Sequence, residues 1–427
     1  MAADGVGDRF NPFARLSRIW HSLGPGVITG AADDDPSGIA TYSIAGAQFG
    51  TSMLWTALLT WPLMTAVQVM CARIGMVTGQ GLTTALRHRL PRPVLVVASV
   101  ALLGANSINI GADLAGMADA AELLTGVGSH AWVVVFAIAI GWATIAWRYA
   151  DIARVLKWLA IVLFAYVITA LKVGPDWSSV LRDTFMPRPP QGREGWATLV
   201  AILGTTISPY LFFWQASQEV EEEKLGGRFS TEERQGATPA ELSHRRVDVA
   251  LGSLFSNVAM YFIILTTALT LNRHGLTAPQ SSREVAQALE PLAGRLSALL
   301  YTVGLIGTGL LAIPTLAGSS AYALAELYGW ASGIDERLQG APRFYAVFVL
   351  ALVAGVALDF ANVNPIRALF WSAVINGVLA PFLLLGILLV ASDARIMRGQ
   401  ESRWPARAVV TVAVALMFAA AVTMVVL

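Results

Sequence analysis

The chain is short of charge. Asp, Glu, Lys and Arg make up 13% of its 427 residues, about half the roughly 25% of a soluble domain. A net charge of +1 gives no basic surface from which to argue nucleic-acid binding. There is one cysteine, Cys71, which excludes an intrachain disulfide and a cysteine metal cluster. The five histidines (His21, His88, His130, His244 and His274) lie outside or at the edges of the apolar runs, which excludes a histidine zinc site inside them. No Ser/His/Asp set, Cys/His pair, P-loop or dinucleotide glycine motif falls in a suitable context, so an enzyme is the least supported class. The first twenty residues are polar and basic, and the first apolar run holds acids, so no cleavable signal peptide is expected.

What is abundant is apolar. Hydrophobic residues make up 56%, and mean hydropathy is +0.61. A membrane-spanning helix needs about 20 mostly apolar residues. Runs of that kind fall near 23–50, 52–72, 94–124, 130–147, 152–172, 196–222, 248–271, 296–327, 343–359, 364–391 and 405–427. The expectation is an all-α integral membrane protein of about eleven spans, with the lipid bilayer as its surroundings. Counting Lys and Arg with the N-terminus in the cytoplasm places 21 on the inner side and 7 on the outer. That bias supports this orientation in the cell (inner) membrane. The expected parts are a cytoplasmic tail 1–22, a first five-helix repeat 23–172, an outer linker 173–195, a second five-helix repeat 196–391 with a cytoplasmic insertion 223–247, and a final span within 392–427. The run Glu221-Glu222-Glu223 reads as a solvated helix end.

Two spans are interrupted. The first contains Asp33-Asp34-Asp35-Pro36-Ser37-Gly38. An ionised carboxylate near the bilayer centre costs about 3 kcal/mol on insertion scales, so three in a row must face water, a cation or protein. Pro36 removes a donor and clashes with the preceding turn, so unwinding is expected over residues 34–38. Non-helical backbone at membrane depth survives where it lines a cavity or is buried in protein. The sixth span contains Gly204-Thr205-Thr206-Ile207-Ser208-Pro209-Tyr210. Each break lies in the first span of a group of five. An odd number of spans per group inverts the second relative to the first, the pattern of secondary transporters that bind substrate where two discontinuous helices meet. The simpler alternative is that Asp35 only caps a helix. For Ser208 and Thr205 it is a hydroxyl bonded to a carbonyl of its own helix.

A carboxylate among freed carbonyls and hydroxyls offers oxygen ligands, which suit hard cations such as Mg²⁺, Ca²⁺ and Mn²⁺. In sequence no methionine stands beside either break, and the nearest is Met53; lack of a thioether favours the harder ions. Asp113 is the next acid inside an apolar run, either a proton relay or cation guide, or a hydrogen-bonded structural group. Glu326, Asn257 and Asn376 read as polar contacts between helices.

These residues resemble the Nramp family of divalent-metal transporters over nearly the whole length. Asp35-Pro36-Ser37-Gly38 is similar to the family's Asp-Pro-Gly-Asn, and Ser208-Pro209-Tyr210 stands where the family has Met-Pro-His. Ala112-Asp113-Leu114-Ala115 and Ala317-Gly318-Ser319-Ser320 resemble its third- and eighth-span motifs. The resemblance implies a LeuT-type fold of two inverted five-helix repeats with helices 1 and 6 broken, and alternating access. It implies Asp35 as metal-binding carboxylate and Thr205 as a backbone-carbonyl ligand. Gly38 replaces an amide ligand, Ser208 a thioether, Tyr210 a histidine, Gly116 a glutamate and Ala373 a glutamine, with Asn376 one turn on. The histidine and glutamate belong to the family's proton route, so the resemblance does not carry proton coupling over. The pattern is closer to divergent branches, one of which handles Mg²⁺. The expected metal set is Asp35, Asp34, Gly38, Thr205 and Ser208, with Asp113, Tyr210 and Asn376 as candidate ion or proton pathway. No cofactor is expected beyond the transported cation. The rival readings are a transporter of a small organic, cationic substrate on the same fold, and a membrane sensor that binds metal without moving it.

Overall fold

The computed structural model describes residues 29–30, 32–148, 161–361 and 364–427. The long helices are α1 (Pro36–Phe49), α2 (Trp55–Thr78), α3 (Arg92–Thr125), α4 (Ser129–Ala146), α5 (Phe164–Val173), α6 (Gly192–Thr206), α7 (Pro209–Leu225), α8 (Pro239–Thr270), α9 (Ser297–Tyr328), α10 (Pro342–Asp359), α11 (Pro365–Ala391) and α12 (Trp404–Val426). Among the described residues, nine helical segments are long and apolar enough to cross a membrane, with α6 and α7 counted as one broken crossing. The expected first and fifth spans supply the other two and fall partly outside the described residues. Their described parts are the helical residues before the first break, α1, and α5.

The two repeats are α1–α5 and α6–α11. Their first helices are the broken ones, and α12 follows outside the repeats. α1 packs on α8 and α6 on α11, while α3 runs along α9, α10 and α11. Small residues allow these approaches. A Cβ on Gly204 of α6 would stand 2.1 Å from the Ala373 carbonyl oxygen of α11, and one on Gly377 of α11 would stand 2.3 Å from the Val200 oxygen. Backbone therefore meets backbone there, as membrane helices do where small side chains permit. Large apolar side chains such as Val97, Ile138, Val353 and Leu389 are exposed and face the lipid.

Two expectations at the helix ends are corrected. Unwinding does not extend over residues 34–38. The break is confined to Asp34 and Asp35, and Pro36 opens α1. Proline is tolerated in a first helical turn because its missing donor would have no partner there anyway. Within the insertion α7 continues to Leu225 and α8 starts at Pro239, capped by Thr238 and Glu241. Finally, the acidic run is paired rather than solvated. Glu221 meets Lys224 at 2.9 Å, Glu222 pairs with Arg245, and Arg228 lies 3.7 Å from Glu223. Arg245 also holds Glu219 at 2.8 Å and Asp248 at 2.7 Å, so one guanidinium ties α7 to α8.

Candidate metal centre

The first break leaves carbonyls of the preceding half-helix without helical partners, and its three carboxylates are buried: Asp33 and Asp34 are 0% exposed and Asp35 is 1%. They divide into two sets. Asp33 Oδ2 and Asp34 Oδ1 both accept from Ser256 Oγ of α8, at 2.7 and 3.0 Å. Asp35 turns to the other side. Its Oδ1 accepts from the Gly38 amide and Ser37 Oγ, each at 2.7 Å, and its Oδ2 accepts from Asn109 Nδ2 of α3 at 3.0 Å. Asn109 Nδ2 also donates to Asp113 Oδ2 at 3.3 Å. Asp35 is thus the N-cap of α1 and the centre of an interhelical carboxylate–amide–carboxylate link.

The second break is neutral. Ser208 Oγ donates to the carbonyls of Gly204 (2.9 Å) and Thr205 (2.6 Å), which lost their helical partners when α6 ended. Ser208 therefore follows the simpler alternative, a hydroxyl satisfying its own helix. The breaks nevertheless meet. Thr205 Oγ1 lies 3.1 Å from where a Cβ would stand on Gly38, so a larger residue at 38 would crowd α6. Tyr210 Oη, at the start of α7, donates to the Ala32 carbonyl at 3.1 Å. Asn376 is buried on α11, between the residues 373 and 377 that abut α6.

Of the expected metal set, the structure brings Asp35, Gly38 and Thr205 together. It turns Asp34 toward α8, and it occupies the hydroxyl of Ser208. Glu326 and Asn257 act between helices. Glu326 accepts from the Thr83 amide (2.8 Å) and Ser217 Oγ (3.2 Å), and Asn257 Oδ1 accepts from Thr60 Oγ1 (2.7 Å). Two site residues were not singled out from sequence. One is Asn109. The other is Met117, distant in sequence from either break: its Sδ lies 2.2 Å, and Pro36 Cγ 3.2 Å, from the Cβ position of Gly309 on α9, so a thioether packs near the start of α1. Asn109, Asp113 and Met117 are spaced by four, one face of a helix, and this spacing was the signal that marks them.

Chemically the region holds buried acceptors that no donor matches. Among the described residues, Asn109 Oδ1, Asp33 Oδ1 and Asp34 Oδ2 are buried and find no hydrogen-bond partner. Buried acceptors left unmatched cost free energy, and a cation relieves the excess. Among the described residues no three His, Cys, Asp or Glu side chains converge on one point. A cation here would meet one carboxylate and neutral oxygens only after the protein bonds of Asp35 rearrange.

A family model described as natural resistance-associated macrophage protein-like matches residues 26–427. The chain belongs to the Nramp family. One relative is the divalent metal cation transporter MntH of Mycobacterium leprae, 25% identical over 95% of this chain and 91% of that one. Among solved structures, the Eremococcus coleocola manganese transporter superposes with TM-score 0.76 at 16% identity, over 98% of this chain and 87% of that chain. Mhp1, a nucleobase-cation-symport-1 family transporter, superposes with TM-score 0.55 at 16% identity, over 94% and 90%. At such identities the structures speak to fold, and the fold of this Nramp chain is the LeuT type that the family resemblance implied.

Proposed function

We propose that this Nramp-family chain carries a divalent metal cation across the membrane by alternating access, with Asp35 as the principal ligand. The observation that carries the reading is the buried Asp35 carboxylate at the first break, facing Asn109 of α3 and packed beside the second break through Gly38 and Thr205. The Thr205 carbonyl and the Asn109 side-chain oxygen complete the set. Asp34 serves as a secondary acid from its place at Ser256, and Ser208 orders the carbonyls beside it. Asp113, Tyr210 and Asn376 line the approach.

Mn²⁺ is the leading ion. It accepts the oxygen set, tolerates the Met117 sulfur better than Mg²⁺ does, and accords with the manganese transporter of the same fold. Mg²⁺ is the second candidate, since the position of the family's thioether is Ser208. Coupling to protons is not part of the proposal, because Tyr210 and Gly116 replace the two groups of the family's proton route. The test is uptake of Mn²⁺ and Mg²⁺ into proteoliposomes, with and without a pH gradient. Uptake of either ion with no accompanying proton movement supports the reading. Absence of flux for both, with the folded protein verified, removes it in favour of an organic substrate or a non-transporting sensor.

A further inference from the structure

A second feature lies away from the breaks. An open cavity of about 510 Å³ sits where α2, α8 and α12 meet. Its lining includes four arginines (Arg73, Arg245, Arg246 and Arg403) and, among the described residues, no acid. Arg245 is committed to Glu219, Glu222 and Asp248, none of which lines the cavity. Arg73 is held in place by the carbonyls of Gln400 (2.9 Å) and Glu401 (3.1 Å). Arg246 and Arg403 lie within electrostatic range of Arg73, are exposed, and make no ion pair among the described residues. Three guanidinium groups thus face one space. Glu401 acts on Arg73 as well, and it too stands outside the lining.

The remaining wall is apolar apart from Thr65 and Ser402, and follows α2 through Met70, Val69, Pro62 and Trp61. From Arg73 to Trp61 is about 18 Å along a helix, the length of an acyl chain, and Trp61 is 39% exposed on the lipid side. We propose that this cavity binds an acidic phospholipid, its phosphate on Arg73, Arg246 and Arg403 and one acyl chain along α2 toward Trp61. Arginine forks match phosphate oxygens in pairs, and basic pockets between spanning helices at the inner interface suit acidic head groups. The charge bias of the sequence puts this end of the helices on the cytoplasmic side.

The experiment is native mass spectrometry of the full chain released from nanodiscs of equimolar phosphatidylglycerol and phosphatidylcholine, with inorganic phosphate as a separate probe. The wild-type chain should retain phosphatidylglycerol in preference, and the double variant Arg246→Gln/Arg403→Gln should lose that preference by about tenfold or more. Ala66→Trp, which narrows the apolar wall and leaves the arginines, should lower lipid retention while the chain keeps its melting temperature. Equal retention of both lipids by the wild type, or an unchanged preference in the double variant, overturns the proposal. Inorganic phosphate at millimolar concentration displacing the lipid completely would assign the site to free phosphate instead, which also overturns it.

Discussion

The two helix breaks occupy corresponding places in the two repeats, yet they solve different problems. The first holds three carboxylates and spends its bonds across the bundle, Asp35 on Asn109 and Asp33 and Asp34 on Ser256. The second holds no charge and spends its hydroxyl locally, Ser208 on Gly204 and Thr205. An inverted repeat therefore duplicates the interruption and not its chemistry. Charge selective for a cation needs to sit on one break only. The other can supply backbone dipoles, which any residue provides. What couples the halves is Tyr210 on the Ala32 carbonyl and the close fit of Gly38 to Thr205.

This contrast orders the expected effects of substitution. Asp35→Asn removes the one charge set between the breaks. Breaking a buried charge pairing costs about 3 kcal/mol, so uptake of Mn²⁺ should fall by more than about a hundredfold. Asn109→Ala removes the amide that spans Asp35 and Asp113 and brings their like charges to bear on each other. Uptake should fall about tenfold, a loss of about 1.4 kcal/mol, with the chain still folded by melting temperature. Tyr210→Phe deletes one hydrogen bond between the breaks, about 1 kcal/mol, and should slow uptake no more than about fivefold. Ser208→Ala should change uptake by less than about twofold, since a hydroxyl bonded back to its own helix contributes little. If Ser208→Ala equalled Asp35→Asn, the division between a charged break and a dipolar one would be wrong.

The fold was legible because its signals are local. Length and apolarity located the spans, and proline beside acids or hydroxyls located both breaks, since those patterns follow from what lipid and backbone geometry forbid. The boundaries were less so. Pro36 and Pro209 signalled interruption, but both open the following helix, because proline suits a first turn as well as it disrupts an interior one. The charged end of α7 was misread because its partners come later: Arg245 lies 26 residues beyond Glu219, and no local pattern announces that pairing. Of the candidate site, the three aspartates were legible as charges in an apolar run, and the resemblance singled out Asp35 among them. Asn109 and Met117 needed α3 to be laid against the break, although their spacing with Asp113 was present in the sequence. Ser208 could have gone either way until its hydrogen bonds were known.

The central claim is that Asp35, rather than the acids beside it, carries the cation. The direct measurement is Mn²⁺ binding to the purified chain by electron paramagnetic resonance, comparing wild type, Asp35→Asn and Asp34→Asn. The account predicts one bound ion per wild-type chain, binding weakened by more than about a hundredfold in Asp35→Asn, and a much smaller loss in Asp34→Asn. Wild-type affinity in Asp35→Asn, or loss in Asp34→Asn alone, would contradict it.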